Sequence, residues 1–592
     1  MDYLKTVVPS QFVAERGANL VVINPGSANI KIGLGTQDAP FIIPHCIARR
    51  TTGANQPPRK NVQDQMLNSQ VTTAQHVERE RAYDAIASFL KIPSLDQEIA
   101  NSYSRKMARP DGSNLQGSKK EPAFPWTDVF EKKLSSSSTL ESPANNGVSQ
   151  QSSLNKEQCK ENSADSECTY REFICGEEAL RIPPTEPYCL RRPIRRGHFN
   201  VSPYYSAQQI LEDLCAIWEW ILTEKLQLPL ANRIMYSVIL VVPETFDNRE
   251  IKEMLSIILG DLCFGSAVVH QEALATVFGN GLSTACVVNI GAQVTSVICV
   301  EDGVALPTTG ITLSFGGEDI SRCLLWTQRH HQTWPPIRTD ALAKPIDLLM
   351  LNRLKESYCQ IKEGETDAVV VVHSYEDGLP AAAHKSRLTA LNVPPMGLFY
   401  PRLLVPEVYP SPPRTWFQDY EDVLEDTWQV EYARRTDGSD LYPGFNVGLP
   451  MWDSYPVFAN KPKKEENLGL AEAITKSILS TGRIDLQRKL FCSIQLAGGV
   501  SLTTGLVAAV EDRVLHAIPP NEAIDTVEVL QSRNNPSYVS WKGGVILGIL
   551  DFSREAWIHR EDWIRGGLYI GSNRKYRDSY YIQAQPMCYM NS

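Results

Sequence analysis

One short pattern occurs twice, far apart in the chain, and it limits the folds open to it. Leu20-Val21-Val22-Ile23 runs through Asn24-Pro25-Gly26-Ser27 into Ile30-Lys31-Ile32-Gly33. Cys286-Val287-Val288 runs through Asn289-Ile290-Gly291-Ala292 into Val294-Thr295-Ser296-Val297-Ile298. Each is an apolar strand, then Asn-x-Gly, then a second β-rich strand, which predicts a hairpin whose tight turn presents backbone N–H groups. Two such turns, one in each half of a chain, can close on an anion from both sides. Neither carries the aspartate that a nucleotide hydrolase would use.

The 592 residues are enough for two or more cores. With 43% hydrophobic and 21% charged residues, most of the chain is expected to be globular. The net charge of −10 leaves nucleic-acid contact to local basic patches. The 13 cysteines are scattered without a C-x-x-C pair, which argues against a disulfide framework or zinc site and suits a reducing compartment. No apolar run is long enough to span a bilayer, and residues 1–12 show no signal-peptide pattern. No membrane partner is therefore expected.

Six segments are expected: an N-terminal extension (1–18), body with the first hairpin (19–50) and a mostly disordered insertion (51–170). Then come body with the second hairpin (171–374), a Pro- and aromatic-rich insertion (375–466) and the rest of the body (467–592). Residues 107–169 are low in complexity, with Ser135 to Ser138 as a serine run and Phe124-Pro125-Trp126 as one apolar island. Apolar spacing predicts an amphipathic helix over 206–226, through Ile210, Leu214, Ile217, Trp218 and Ile221. A strand is expected over 237–242 and a helix from the Asp247-Asn248 cap. Gly316-Gly317 should feed another helix. Further helices are expected near 346–362, 468–480 and 502–516, with strands at 368–373 and 493–496. Pro394, Pro395, Trp416 and Trp428 mark the second insertion as packed on the body or on a partner rather than as a flexible linker.

Three glycine turns follow apolar β-runs: Gly26-Ser27, Gly291 and Gly498-Gly499. Any one alone is weak, because turn glycines are common. Together they suggest two phosphate grips, with Lys31 adding a point charge, and a third turn at a helix N-terminus that favours an anion or a ribose edge. Lys355-Glu356 reads by itself as a solvated surface pair; at this place in the chain it is also able to reach a nucleoside. Arg191-Arg192-Pro193-Ile194-Arg195-Arg196 and Arg574-Lys575-x-Arg577 are compact basic runs, read either as solvated faces or as DNA-phosphate or import signals. The first run is expected to be at least partly structured and so unsuited to import, whereas Lys119-Lys120 and Lys132-Lys133, in the insertion expected to be disordered, are freer to bind DNA or an import receptor. His270-Gln271-Glu272 is no H-E-x-x-H motif, and His330-His331 lacks further metal-type neighbours, so no metal site or catalytic residue is assigned.

Several phrases resemble the actin superfamily: Asn24-Pro25-Gly26-Ser27 with Lys31-Ile32-Gly33, Phe173-Ile174-Cys175-Gly176-Glu177-Glu178-Ala179, Pro193 to Gly197, and Trp541-Lys542-Gly543-Gly544, the last similar to a strand–helix junction of actin. Ile43 to Arg50, Val268 to Glu272 and Cys299 to Val304 are most similar to the eighth class of nuclear actin-related proteins and its divergent plant branch, numbered ninth. The resemblance leaves out both insertions. It implies an α/β actin-like two-domain fold of duplicated ribonuclease-H-like halves, with ATP or ADP between them. Gly26, Ser27 and Lys31 then match the first phosphate loop and Asn289 and Gly291 the second. Lys355 and Glu356 match the adenine-side pair, Gly498 and Gly499 the third turn, and Gln271 lies near the residue that positions the attacking water.

Departures from the family matter more. Asn24, Asn289 and Ala292 stand where actin has magnesium-ordering aspartates. An amide cannot act as a base, and magnesium prefers anionic oxygen, so magnesium should be weak or absent and hydrolysis improbable. Thr503 replaces the tyrosine that packs on adenine, and Ser537 a nearby lysine. The resemblance thus implies a non-catalytic, architectural subunit of a nuclear chromatin remodeller of the INO-eighty type. Its implied partners are a motor-subunit helix, actin, other actin-related proteins, histones and DNA, with roles in transcription and repair and no self-polymerisation. The alternatives are an active sugar-kinase-like ATPase on the same fold or a cytoplasmic cytoskeletal role.

Overall fold

The computed structural model describes residues 17–51, 73–92, 171–183, 186–202, 205–341, 344–376, 379–404, 468–520, 522, 524–550 and 557–566. The serine run, the Phe124-Pro125-Trp126 island, both lysine pairs, Trp416, Trp428 and the Arg574 run lie outside them.

Apolar strands build two central sheets. β1 (Leu20–Pro25), β2 (Asn29–Leu34) and β3 (Phe41–Pro44) are antiparallel neighbours. β4 (Ile47–Arg50) pairs with β5 (Phe173–Cys175) and β6 (Tyr188–Arg191), and β7 (Ile194–Arg195) with β8 (His198–Phe199). β9 (Ser237–Val242) runs parallel to β1, and β10 (Ser266–Gln271) parallel to β9. In the second half β11 (Ala285–Ile290) and β12 (Thr295–Glu301) form a hairpin, extended by β13 (Val304–Ala305) and β14 (Ile311–Leu313). β15 (Ala368–Glu376) and β16 (Leu379–Leu388) form a separate pair, and β17 (Ile494–Ala497) runs parallel to β11. β18 (Ile558–His559) closes the first sheet, whose order is β18-β10-β9-β1-β2-β3. The second reads β13-β12-β11-β17. A hairpin flanked by a parallel strand thus occurs in each half, which is the expected duplication.

The central strands β1, β9, β11 and β12 are buried on both faces, so they read as near-continuous apolar runs. Val21 and Ile23 point into the first-half core with Leu214, Trp218 and Met254. Val22 points the other way, into a core shared by both halves that also takes Val241, Val287, Val300, Leu274 and Trp541. Cys286, Val288 and Ile290 face a third core with Ile474, Leu490 and Val510. The shared core is where helix Glu272–Gly279 meets helix Val539–Leu550.

The amphipathic helix at 206–226 runs as an α-helix over Ala207–Trp220, opened by a Ser206–Gln209 capping box, and finishes as a π turn over Ile221–Lys225. Helix Asn248–Ser256 starts from the Asp247 capping box. Helix Leu506–Ala517 begins later than its apolar pattern predicts, because a 3-10 turn, Gly499–Leu502, intervenes.

Four expectations need correction. Residues 51–170 contain helix Thr73–Phe89, whose Ala82, Tyr83 and Ile86 enter the second-half core. Residues 379–404 hold β16 and the core residues Leu398, Phe399, Leu403 and Leu404, so they belong to the body rather than to an insertion, while 405–466 lie outside the described residues. Gly543-Gly544 lies inside a helix, not at a strand–helix junction. None of Arg191, Arg192, Arg195 and Arg196 is an exposed side chain. Arg191 lies 3.8 Å from buried Asp213 and over the Tyr205 ring, and Arg192 and Arg196 reach across to the second half. That run is internal wiring.

Candidate functional site

The two hairpin turns face each other across a cleft of about 920 Å³. Their geometry repeats. Gly26 N–H donates to Asn29 O (3.1 Å) and Gly291 N–H to Val294 O (2.9 Å). Asn24 and Asn289 occupy equivalent ladder positions, opposite Lys31 and Ser296. Gly26, Ser27, Lys31, Asn289, Gly291, Lys355, Glu356, Gly498 and Gly499 all line this cleft, with Ala292, Thr503 and Ser537.

The third turn is locked onto the second. Gly498 has φ +89°, and a Cβ there would stand 2.3 Å from Ile290 O and 2.7 Å from Asn289 Oδ1. Only glycine suits that conformation and contact. Lys355, from helix Pro345–Tyr358, donates to Gly317 O at 2.7 Å, so it braces the wall rather than floating in solvent. Burial lowers its pKa against the pull of Glu356 and Glu318.

Support for the first turn comes from below. The fully buried His45 ring bonds Gly26 O through Nδ1 (2.9 Å) and accepts from Trp218 Nε1 at Nε2 (3.3 Å), which selects the neutral Nδ1–H tautomer. Burial lowers its pKa to about 4, against the Gly26 bond. A folded pKa below the ordinary 6.5 means its contribution is present above pH 6.5 and lost as pH falls through 4. A shift of this size corresponds to on the order of 3 kcal/mol. The melting temperature of H45Q should therefore fall less between pH 6.5 and 4 than that of the wild type, as measured by circular dichroism. Equal slopes would refute the assignment.

The floor holds a carboxylate next to Gln271, within one residue of the expected position. Gln271 ends β10 and does not line the cleft; Glu272, one residue on, does. A one-residue step along a strand reverses the face, so the pattern alone could not choose between them. Glu272 Oε2 accepts from Asn289 Nδ2 (2.6 Å) and Oε1 from Ser540 Oγ (3.1 Å). Lys31 Nζ lies 3.8 Å from Glu272 and donates to Asn24 Oδ1 at 2.9 Å. Behind it, Glu244 accepts from Ala273 N–H and Ser296 Oγ; burial, then the Glu272 charge, push it up to about 7.

This donor set does not fit a hydrated magnesium ion. The hairpin ends hold two amides and an alanine, both Glu272 oxygens already accept hydrogen bonds, and an ammonium stands beside them. Among the described residues no cluster of His, Cys, Asp or Glu could hold a metal. A polyphosphate fits better: paired backbone turns and Lys31, beside a wall that carries Lys355 and Glu356.

Across the cleft mouth the β7–β8 turn is tied to both loops. Gly197 N–H donates to Ser27 Oγ (3.1 Å), and Arg196 N–H to Gln293 Oε1 (2.9 Å). The Arg196 guanidinium bonds Asp319 twice (2.7 and 2.9 Å), Gln293 O (2.7 Å) and Ser314 O (3.0 Å). Arg192 reaches Glu318 (3.3 Å), which also accepts from Gln293 Nε2 (3.0 Å). The roles of Asp319 and Glu318 are not legible in the sequence because the arginines that cross to them, Arg196 and Arg192, lie more than a hundred residues away.

Comparison with known proteins matches this architecture. The family model described as Actin matches residues 16–570. Actin-related protein 9 of Arabidopsis thaliana is 60% identical over 100% of this chain and 98% of its own length. Actin-related protein 8 of Bos taurus is 28% identical over 93% and 91%. A solved structure of human actin-related protein Arp8 in its ATP-bound state has a TM-score of 0.67 at 26% identity, covering 95% of this chain and 97% of that one.

Proposed function

The chain belongs to the actin family, as an actin-related protein of the Arp8 class, and on that premise we propose a non-catalytic, architectural subunit of a nuclear ATP-dependent chromatin remodeller of the INO-eighty type. Its cleft holds ATP or ADP as a structural ligand, with magnesium weak or absent. The observation that carries this reading is the floor of the cleft. Asn24, Asn289 and Ala292 offer no base, and the Glu272 oxygens are both engaged by donors. The ATP-bound state of the human Arp8 relative supports nucleotide binding here. Membership of the Arp8 class supports assembly with a motor-subunit helix, actin, other actin-related proteins and nucleosomes, in transcription and DNA repair, rather than self-polymerisation.

Two measurements test this. Calorimetry should give ATP and ADP affinities in EDTA within about tenfold, or 1.4 kcal/mol, of those in magnesium. Single-turnover assays should show cleavage no faster than a protein-free blank. Magnesium-dependent phosphate release would instead favour the ATPase alternative. A tagged chain should concentrate in the nucleus and co-purify with a remodeller motor subunit; a cytoplasmic, cytoskeletal set would support the other alternative.

A further inference from the structure

The hairpin ends carry the amides Asn24 and Asn289, while the carboxylate of Glu272 enters the floor from the strand–helix junction, only 6% exposed. Amide and carboxylate are chemically matched. An aspartate at 289 could not donate to Glu272, whereas the Asn289 amide does so at 2.6 Å. Asn24 turns its oxygen to Lys31 Nζ (2.9 Å) and its amide nitrogen to Val241 O (2.9 Å). Ser540 adds a hydroxyl between Glu272 Oε1 (3.1 Å) and Asn24 Oδ1 (3.4 Å). These partners come from four separate parts of the chain. As the first residue of helix Glu272–Gly279, Glu272 also has its negative charge favoured by the helix dipole.

We infer that Glu272 is a specificity-determining residue for the nucleotide: it takes the charge of Lys31 for itself and opposes a third phosphate, so that the cleft favours a nucleoside diphosphate over a triphosphate. This rests on the nucleotide reading above. Lys31 is the cleft-lining cation of the first hairpin, and Glu272 stands 3.8 Å from it. The pair is nearly neutral, so each added phosphate charge meets little net attraction. A terminal phosphate seated between the two turns would stand nearest this carboxylate and be repelled by it. Removing that charge returns Lys31 to the ligand. Glutamine at 272 keeps an acceptor for Asn289 or Ser540 and preserves volume.

The test is calorimetric titration of ATP and ADP, in EDTA, into the full chain and into E272Q. The variant should bind ATP about tenfold or more tightly than the wild type, and ADP with a gain of less than about threefold. Equal changes for the two nucleotides, or none, would overturn the proposal while leaving the nucleotide reading intact. No binding of either nucleotide by either protein would remove the reading and the proposal together. Should E272Q fail to fold, the wild type alone decides: it should bind ADP at least as tightly as ATP, and a tenfold preference for ATP would sink the inference.

Discussion

R196A is expected to destabilise the protein by about 3 kcal/mol or more, the range seen when one partner of a buried ion pair is removed. Asp319 is 1% exposed, and the fork of Arg196 supplies two of its bonds; Arg322 supplies another at 2.6 Å. Alanine leaves that carboxylate buried with a single guanidinium, and strips the bonds to Gln293 O and Ser314 O as well. R196K should recover less than half of the loss, since an ammonium cannot form the two parallel bonds of the fork. The same pair sets an acid limb. Burial pushes the Asp319 carboxyl up, but Arg196 and then Arg322 outweigh it and bring it down to about 2. A folded pKa below the ordinary 3.8 gives stability that is present above about pH 4 and lost as pH falls through 2. In R196A this limb should move to higher pH. Melting curves from pH 2 to 7 check both effects, and a loss below about 0.5 kcal/mol, typical of a surface pair, would refute the clamp.

G543A should be more damaging still. Alanine in place of an interior helical glycine normally gains about 1 kcal/mol in helix propensity. Here a Cβ would fall 1.6 Å from Ala275 O and 2.9 Å from Gly279 N, both rigid backbone of the crossing helix. Gly279 is equally constrained, its Cβ position lying 2.3 Å from Val539 O. The helices must part, and they carry the core that joins the two halves. A loss above about 4 kcal/mol, or no soluble protein, is expected. G260A is the control: nothing lies within 4 Å of its Cβ position, so its melting temperature should hold or rise. Wild-type melting by G543A would show that the helices are not in contact.

Much of the fold was legible because its strands and helices advertise themselves locally. β9 spans the predicted apolar run, and the two hairpins follow from their Asn-x-Gly turns. Helix Thr73–Phe89 was not legible: its buried residues are two alanines, one tyrosine and one isoleucine, too weak a stripe to stand out in a polar stretch. β16 was missed for a similar reason, since Pro380-Ala381-Ala382-Ala383 has little β-propensity and forms a strand by pairing with β15.

By itself the sequence determined the duplicated hairpins, the glycine turns and the loss of carboxylates from the hairpin ends, because backbone conformation and residue chemistry act over a few neighbours. Only the tertiary structure decided where charge ends up. It placed Glu272 rather than Gln271 in the cleft, set it against Asn289, Ser540 and Lys31, and turned a basic run into a clamp on Asp319 and Glu318. Electrostatic partnership depends on distance and burial in space, which a linear order of residues does not contain.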